Sequence, residues 1–83
     1  MKVIVREVCT DDWKAIYLND NLAVEGHSIY IEDICWQLQN LITHNGNKQP
    51  DYITSIEYER YWLKEEYEAL LPKFSDYNED MFE

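Results

Sequence analysis

Val3, Val5 and Val8 lie in a β-branched, alternating stretch that ends at the polar cluster Thr10-Asp11-Asp12. This pattern predicts a first strand followed by a turn. Trp13 to Leu18 and Asn21 to Glu25 predict two more strands, joined by Asn19-Asp20. Both turn residues tolerate positive φ better than other non-glycine residues, as a tight hairpin requires. The expected register sets Tyr17 opposite Leu22, Ala15 opposite Val24 and Lys14 opposite Glu25, which gives one apolar face and a cross-strand ion pair.

After Gly26 the period changes from two to 3.6. Ile31, Ile34, Cys35, Leu38, Leu41 and Ile42 recur at the spacing of one buried helical stripe, with Glu32, Asp33, Gln37, Gln39 and Asn40 mostly off it. Ser28 is the expected N-cap, Glu32 and Asp33 suit the positive end of the helix dipole, and Asn45-Gly46 is the expected stop. Beyond a polar loop over 45–51, Tyr52 to Arg60 fits either strand or helix, and β-branched Ile53, Thr54 and Ile56 favour a strand. Leu63, Tyr67, Leu70 and Leu71 predict a second helix over 61–71, ended by Pro72. The expectation is an α+β fold, a small antiparallel sheet in β-β-β-α-β-α order with two helices packed on one face. A single small domain over 1–83 is expected, with 73–83, which show no period, as an acidic tail, either wrapped or flexible.

Charge sharpens this picture. Residues 1–50 hold seven acidic and four basic side chains, whereas 51–83 hold ten acidic and three basic. Five of the seven tyrosines, Tyr52, Tyr58, Tyr61, Tyr67 and Tyr77, fall in the same acidic third. Such a charge argues against nucleic acid or anionic lipid as a direct partner and favours a protein with a basic surface. Rows of carboxylates on a rigid surface imitate nucleic-acid phosphates and occupy a basic groove by the same electrostatics. The expected partner-binding residues are Glu65, Glu66, Tyr67, Glu68, Asp76, Tyr77, Glu79 and Asp80, with Glu83 beside them. The segment from Asp76 to Glu83 interleaves acids with Tyr77, Met81 and Phe82, the composition of a docking segment that orders on binding. It resembles the acidic, phenylalanine-ended tails of single-stranded-DNA-binding proteins. Here the phenylalanine is penultimate and no oligonucleotide-binding barrel precedes it, so that function is not carried over.

Residues suited to catalysis are few. His27 follows Glu25-Gly26 at a strand-to-helix junction, where it is the centre of an alternative reading as a small-ligand binder or enzyme, with Glu25 and Ser28 as local partners. No glycine-rich phosphate loop or nucleophile elbow surrounds it. The soft metal ligands Cys9, Cys35, His27 and His44 are scattered, without a Cys-x-x-Cys or His-x-x-x-His pair, so neither metal nor cofactor is expected. Both cysteines sit among apolar neighbours and are expected to be small buried hydrophobes. With no signal-like h-region at the N-terminus and no apolar run of about 18–20 residues, a cytoplasmic protein without a membrane span is expected. The function expected is that of a small acidic non-enzymatic interaction protein, of the kind phages and mobile elements direct against host nucleases and polymerases. A homo-oligomeric accessory protein, such as a homodimer, that pairs with itself through a sheet edge or aromatic patch is the rival.

Overall fold

The computed structural model describes residues 2–43, 53–67 and 69–83, with 41–43 described by their backbone. Its elements are β1 (Lys2–Cys9), β2 (Lys14–Leu18), β3 (Asn21–Gly26), α1 (Ile31–Thr43) and β4 (Ser55–Trp62), followed by 3-10 turns at Phe74–Asp76 and Glu79–Met81. The fold is α+β, with one four-stranded sheet in the order β3-β2-β1-β4. β1 and β2 are antiparallel, as are β2 and β3, but β1 and β4 are parallel. The sheet is therefore mixed, where an antiparallel one was expected. Two reversals bring β3 into the direction of β1, and a helix then returns the chain to the end from which β3 began, so β4 must run parallel to β1.

The hairpin forms where the sequence placed it, around Asn19 and Asp20, with Leu18 opposite Asn21 and Tyr17 opposite Leu22. Of the two turn residues Asn19 takes positive φ, at 57°. Its Oδ1 accepts the Ile4 N–H at 3.0 Å and its carbonyl accepts Arg6 Nη1 at 2.8 Å, which ties the turn to β1. Beyond Tyr17 the expected register fails. A shift between Ile16 and Tyr17 sets Ile16 opposite Val24, Ala15 opposite Glu25 and Lys14 opposite Gly26. The irregularity brings Ala23 and Val24 to the core that lies under the helix; a regular ladder would send Val24 to the other face. Lys14 then has no Glu25 across from it, and its ammonium lies 3.9 Å from Glu7 instead.

α1 packs over β3, against Val3, Val5, Ile16 and Leu18, using Ile34 and Leu38. Ile31, 69% exposed, and Cys35, also exposed, lie outside this contact, so the buried stripe is narrower than its periodicity implied. The side chains of Leu41 and Ile42, and the stop at Asn45-Gly46, lie outside the described residues. The helix also starts later than a Ser28 cap requires. The Tyr30 carbonyl accepts the Asp33 and Ile34 N–H groups at 3.0 and 3.4 Å, and Asp33 Oδ2 reaches back to the Tyr30 N–H at 3.3 Å, half of a capping box. The cap is Tyr30.

The second expected helix is absent. Tyr61 and Trp62 extend β4, beside Val8 and Cys9, and Leu63 donates its N–H to the Cys9 carbonyl at 2.9 Å. Residues 63–67 and 69–83 form an arm laid over the face opposite α1. It crosses to the hairpin, where Pro72 accepts the Leu22 N–H at 3.2 Å and Phe74 donates to Asp20 at 2.9 Å. It then returns to the end of β4, where Lys64 donates to Met81 at 2.9 Å and Glu83 to Trp62 at 2.8 Å. Leu63, Tyr67, Leu70 and Leu71 all pack toward the core of this face, as a helix would have had them do. Their backbone needs are met differently: the Leu71 N–H donates to Tyr77 Oη at 2.8 Å and its carbonyl accepts from Tyr17. Phe74, Tyr77 and Phe82, from the segment read as a tail, complete this core with Tyr17 and Tyr61, in ring contacts of 5.0–6.0 Å.

Candidate functional site

The register sorts the charges. On the arm side of the sheet Arg6 Nε meets Glu59 Oε1 at 3.1 Å, and Lys2 meets Glu57 at 2.9 Å. On the helix side Glu7, 7% exposed, is the one buried acid among the described residues. Arg60 donates to its Oε2 from two nitrogens at 3.3 Å, Tyr58 donates to the same oxygen, and the Cys9 thiol lies 3.5 Å from Oε1. Burial on its own would raise the Glu7 pKa. The Tyr58 hydrogen bond and the Arg60 charge outweigh it and hold the group below the ordinary carboxylate range. Four of the seven basic side chains are thus engaged by acids of the strands.

The arm is different. Residues 63–83 carry seven acidic side chains and two basic ones. Glu65 and Glu66 are exposed on the turn after β4, Asp76 on the first 3-10 turn, and Glu79 and Asp80 on the second. Among the described residues none of these five, nor Glu83, forms an ion pair with a lysine or arginine. The aromatic residues of the arm go to the core and leave the carboxylates outside. Tyr77, 9% exposed, is buried, with its hydroxyl 2.8 Å from that of Tyr17, so its ring faces the protein's own core. Tyr67 is partly buried against the same core. Glu68 lies outside the described residues, as do Tyr52 and His44.

The structure joins Glu65, Tyr67 and Glu83 to residues that the sequence reading did not mark for a site, Trp13 and Trp62 among them. A cavity of about 600 Å³ opens at the carboxyl ends of β1 and β4. The β1–β2 loop lines it with Asp11, Asp12 and Trp13, and the chain from the end of β4 onward lines it with Trp62, Lys64, Glu65, Tyr67 and Glu83. The loop is closed by Thr10, whose N–H and hydroxyl both donate to the Trp13 carbonyl, at 2.8 and 3.1 Å. His27 braces it from outside. Its Nδ1 lies 2.8 Å from the Asp12 carbonyl and its ring meets Trp13 edge-on at 4.5 Å. Glu25 and Ser28, the expected neighbours of His27 in a catalytic reading, are exposed. The sequence signal for this cavity was the pair Asp11-Asp12 before a tryptophan at a strand end. The lining from the end of β4 onward needs the parallel pairing of β4, which local pattern does not reveal.

Among the described residues no group of three or more metal-ligating side chains comes together, and no helix is long and apolar enough to cross a membrane. Cys9 is buried and Cys35 exposed, so the expectation that both are core residues holds for the first and fails for the second. Burial, followed by the charge of Glu7, pushes the Cys9 thiol up to about 11. Cys35 is therefore expected to react with a thiol reagent at pH 8 in the folded protein, and Cys9 only after denaturation, as timed labelling read by mass spectrometry will show. Rapid modification of both would contradict the burial of Cys9.

Fold and site together define a small α+β protein with an anionic arm and an acidic, aromatic-walled cavity beside it. No family model, curated protein or solved structure matches the chain.

Proposed function

We propose that this protein is a non-enzymatic interaction module whose arm docks on the basic, nucleic-acid-binding surface of a host protein and blocks it, in the manner of phage or mobile-element inhibitors. The observation that carries this reading is the contrast in charge pairing. Glu7, Glu57 and Glu59 on β1 and β4 are matched by the protein's own lysines and arginines, whereas the exposed acids of the arm, like Glu25 on β3, lack such partners among the described residues. Unpaired carboxylates held on an anchored surface suit a cationic counterpart, because their positions are set before binding and little ordering remains to be done. The mechanism is steric and electrostatic exclusion of nucleic acid. Free thiols agree with the reducing cytoplasm to which this reading assigns the protein.

The test uses the protein as bait in a lysate of the cells that make it. A nucleic-acid-binding protein should be retained, released by rising salt and displaced by double-stranded DNA. The triple reversal Glu65→Lys, Glu66→Lys and Glu68→Lys is expected to weaken that complex by at least about tenfold, since like charges are brought together across the interface. Capture that ignores salt, or survives the reversal unchanged, would refute the reading.

One observation favours the homodimer instead. β4 lies at the edge of the sheet with Ile56 and Tyr58, each 53% exposed, and Trp62, 46% exposed, on one face. An exposed, apolar edge strand is a template for pairing. A molecular mass that doubles with concentration in light scattering would support self-association through it.

A further inference from the structure

We infer that the cavity at the ends of β1 and β4 receives an arginine side chain of the protein partner. The inference rests on the reading of the arm as a surface for a basic protein, and it names the anchor. β1 and β4 run in the same direction, so the segments leaving them, residues 10–13 and 63–67, stand at the same end of the sheet and line one cavity of about 600 Å³. Three of the lining residues are aromatic, Trp13, Trp62 and Tyr67. Trp62 is 46% exposed, so part of its indole is open to an occupant of the cavity.

Charge decides the sign of the occupant. Asp11, Asp12, Glu65 and Glu83 line the cavity against Lys64 alone, which excludes an anion and disfavours a neutral apolar group. A cation among indoles and carboxylates gains from both, and guanidinium fits better than ammonium. It is planar, stacks on aromatic rings, is weakly hydrated and presents a fork of donors to carboxylate oxygens. The walls are already held in place: Thr10 and His27 fix the Trp13 loop, and the Trp62 carbonyl accepts the Glu83 N–H at 2.8 Å. Glu65 and Glu83 belong to the cavity and to the arm alike, so the anchor sits within the surface assigned to the basic partner.

The three tryptophans supply the readout. Trp13 and Trp62 line the cavity, while Trp36 is exposed on α1 and serves as an internal control. In nitrogen–proton correlation spectra, the peptide acetyl-Gly-Gly-Arg-Gly-Gly-amide is expected to shift the Trp13 and Trp62 indole signals saturably and to leave Trp36 in place. The citrulline peptide, which keeps the shape and loses the charge, should bind at least about tenfold more weakly, as should the arginine peptide to Trp62→Ala. Equal binding of citrulline, equal movement of Trp36, or undiminished affinity of Trp62→Ala would overturn the assignment. Free arginine methyl ester, run alongside, should shift the same two indoles; its binding more tightly than the peptide would point to a small-molecule site and also overturn it. Partner capture separates this inference from the one beneath it. Trp62→Ala keeps every arm carboxylate, so if it captures the partner as wild type does while the lysine triple fails, the cavity loses its role and the arm keeps its own. An arginine peptide that binds as described, together with partner capture that ignores salt, leaves the cavity standing and removes the electrostatic reading of the arm.

Discussion

Tyr17→Ala is expected to lower the unfolding free energy by about 3–5 kcal/mol, the range for emptying a buried aromatic site. A domain of this size is stabilised by only about 5–15 kcal/mol in total, so much of the cooperative transition would be lost. Tyr17 has no exposed surface, and its ring meets those of Phe74 and Tyr77 at 6.0 and 5.9 Å. Its hydroxyl donates to the Leu71 carbonyl and lies against that of Tyr77, which in turn accepts the Leu71 N–H. One side chain on the sheet thus fastens both crossings of the arm. Burial, and then Tyr77, push its own ionisation well above the ordinary tyrosine range, so the hydroxyl stays a donor. Tyr17→Phe keeps the ring and should cost about 1–3 kcal/mol, because buried polar groups of the arm lose a partner. Urea unfolding followed by tryptophan fluorescence measures both values, and hydrogen exchange should show the arm amides loosening before those of β1 and β2. A Tyr17→Phe variant as stable as wild type, with the arm equally protected, would show that the hydroxyl network does not hold the arm down. Both variants leave every carboxylate unchanged, so weaker partner binding by them would report the value of holding those charges in place.

Glu7→Gln is expected to destabilise the fold by about 1–3 kcal/mol at neutral pH, the usual cost of weakening charge-assisted hydrogen bonds to a buried group. The glutamine keeps the shape of the side chain but removes the charge that faces Arg60 and Lys14. The pH dependence provides a second check. Because the folded pKa of Glu7 lies below its unfolded value, its contribution is fully present above the unfolded value of about 4.3, and is lost as pH falls through the folded one. Wild-type stability should therefore decline more steeply than that of Glu7→Gln between about pH 5 and 3. Parallel pH profiles, or an unchanged midpoint at pH 7, would show that the cluster contributes nothing to stability. Asp20 and Glu59 add to the acid sensitivity of both proteins alike. The hydroxyl and N–H of Ser75 lower the first, and the Tyr61 hydroxyl, then Arg6, lower the second.

Much of the fold was legible because its signals are local. The hairpin at Asn19-Asp20 follows from residues that tolerate positive φ between two alternating runs. The helix from Ile31 follows from its period, and β4 from β-branched residues next to alternating glutamates. The errors arose where a local pattern has two solutions. Leu63, Tyr67, Leu70 and Leu71 bury equally well along a helix or along an extended arm, and the choice fell to distant groups, the Tyr17 and Tyr77 hydroxyls, which supply the hydrogen bonds a helix would have made for itself. Ile31 and Cys35 keep helical spacing but look outward, since one helix on one sheet offers a contact narrower than the stripe.

The candidate site divides in the same way. An excess of carboxylates near the carboxyl end is a property of composition, and the sequence determines it outright. Which of those acids are neutralised is a property of register: Glu57 and Glu59 meet Lys2 and Arg6 because β4 runs parallel to β1, while Glu65, Asp76, Glu79 and Asp80 sit on an arm beyond the reach of the strand cations. Chain sequence alone set the first three strands, the hairpin turn and the helix from Ile31, because each depends on neighbours within a few positions, and its composition set the net charge. Tertiary structure decided the direction of β4, the path of the arm, the burial of Tyr77 and the meeting of Trp13 with Trp62 across a cavity, because each depends on contacts between residues some fifty positions apart, whose pairing no local period encodes.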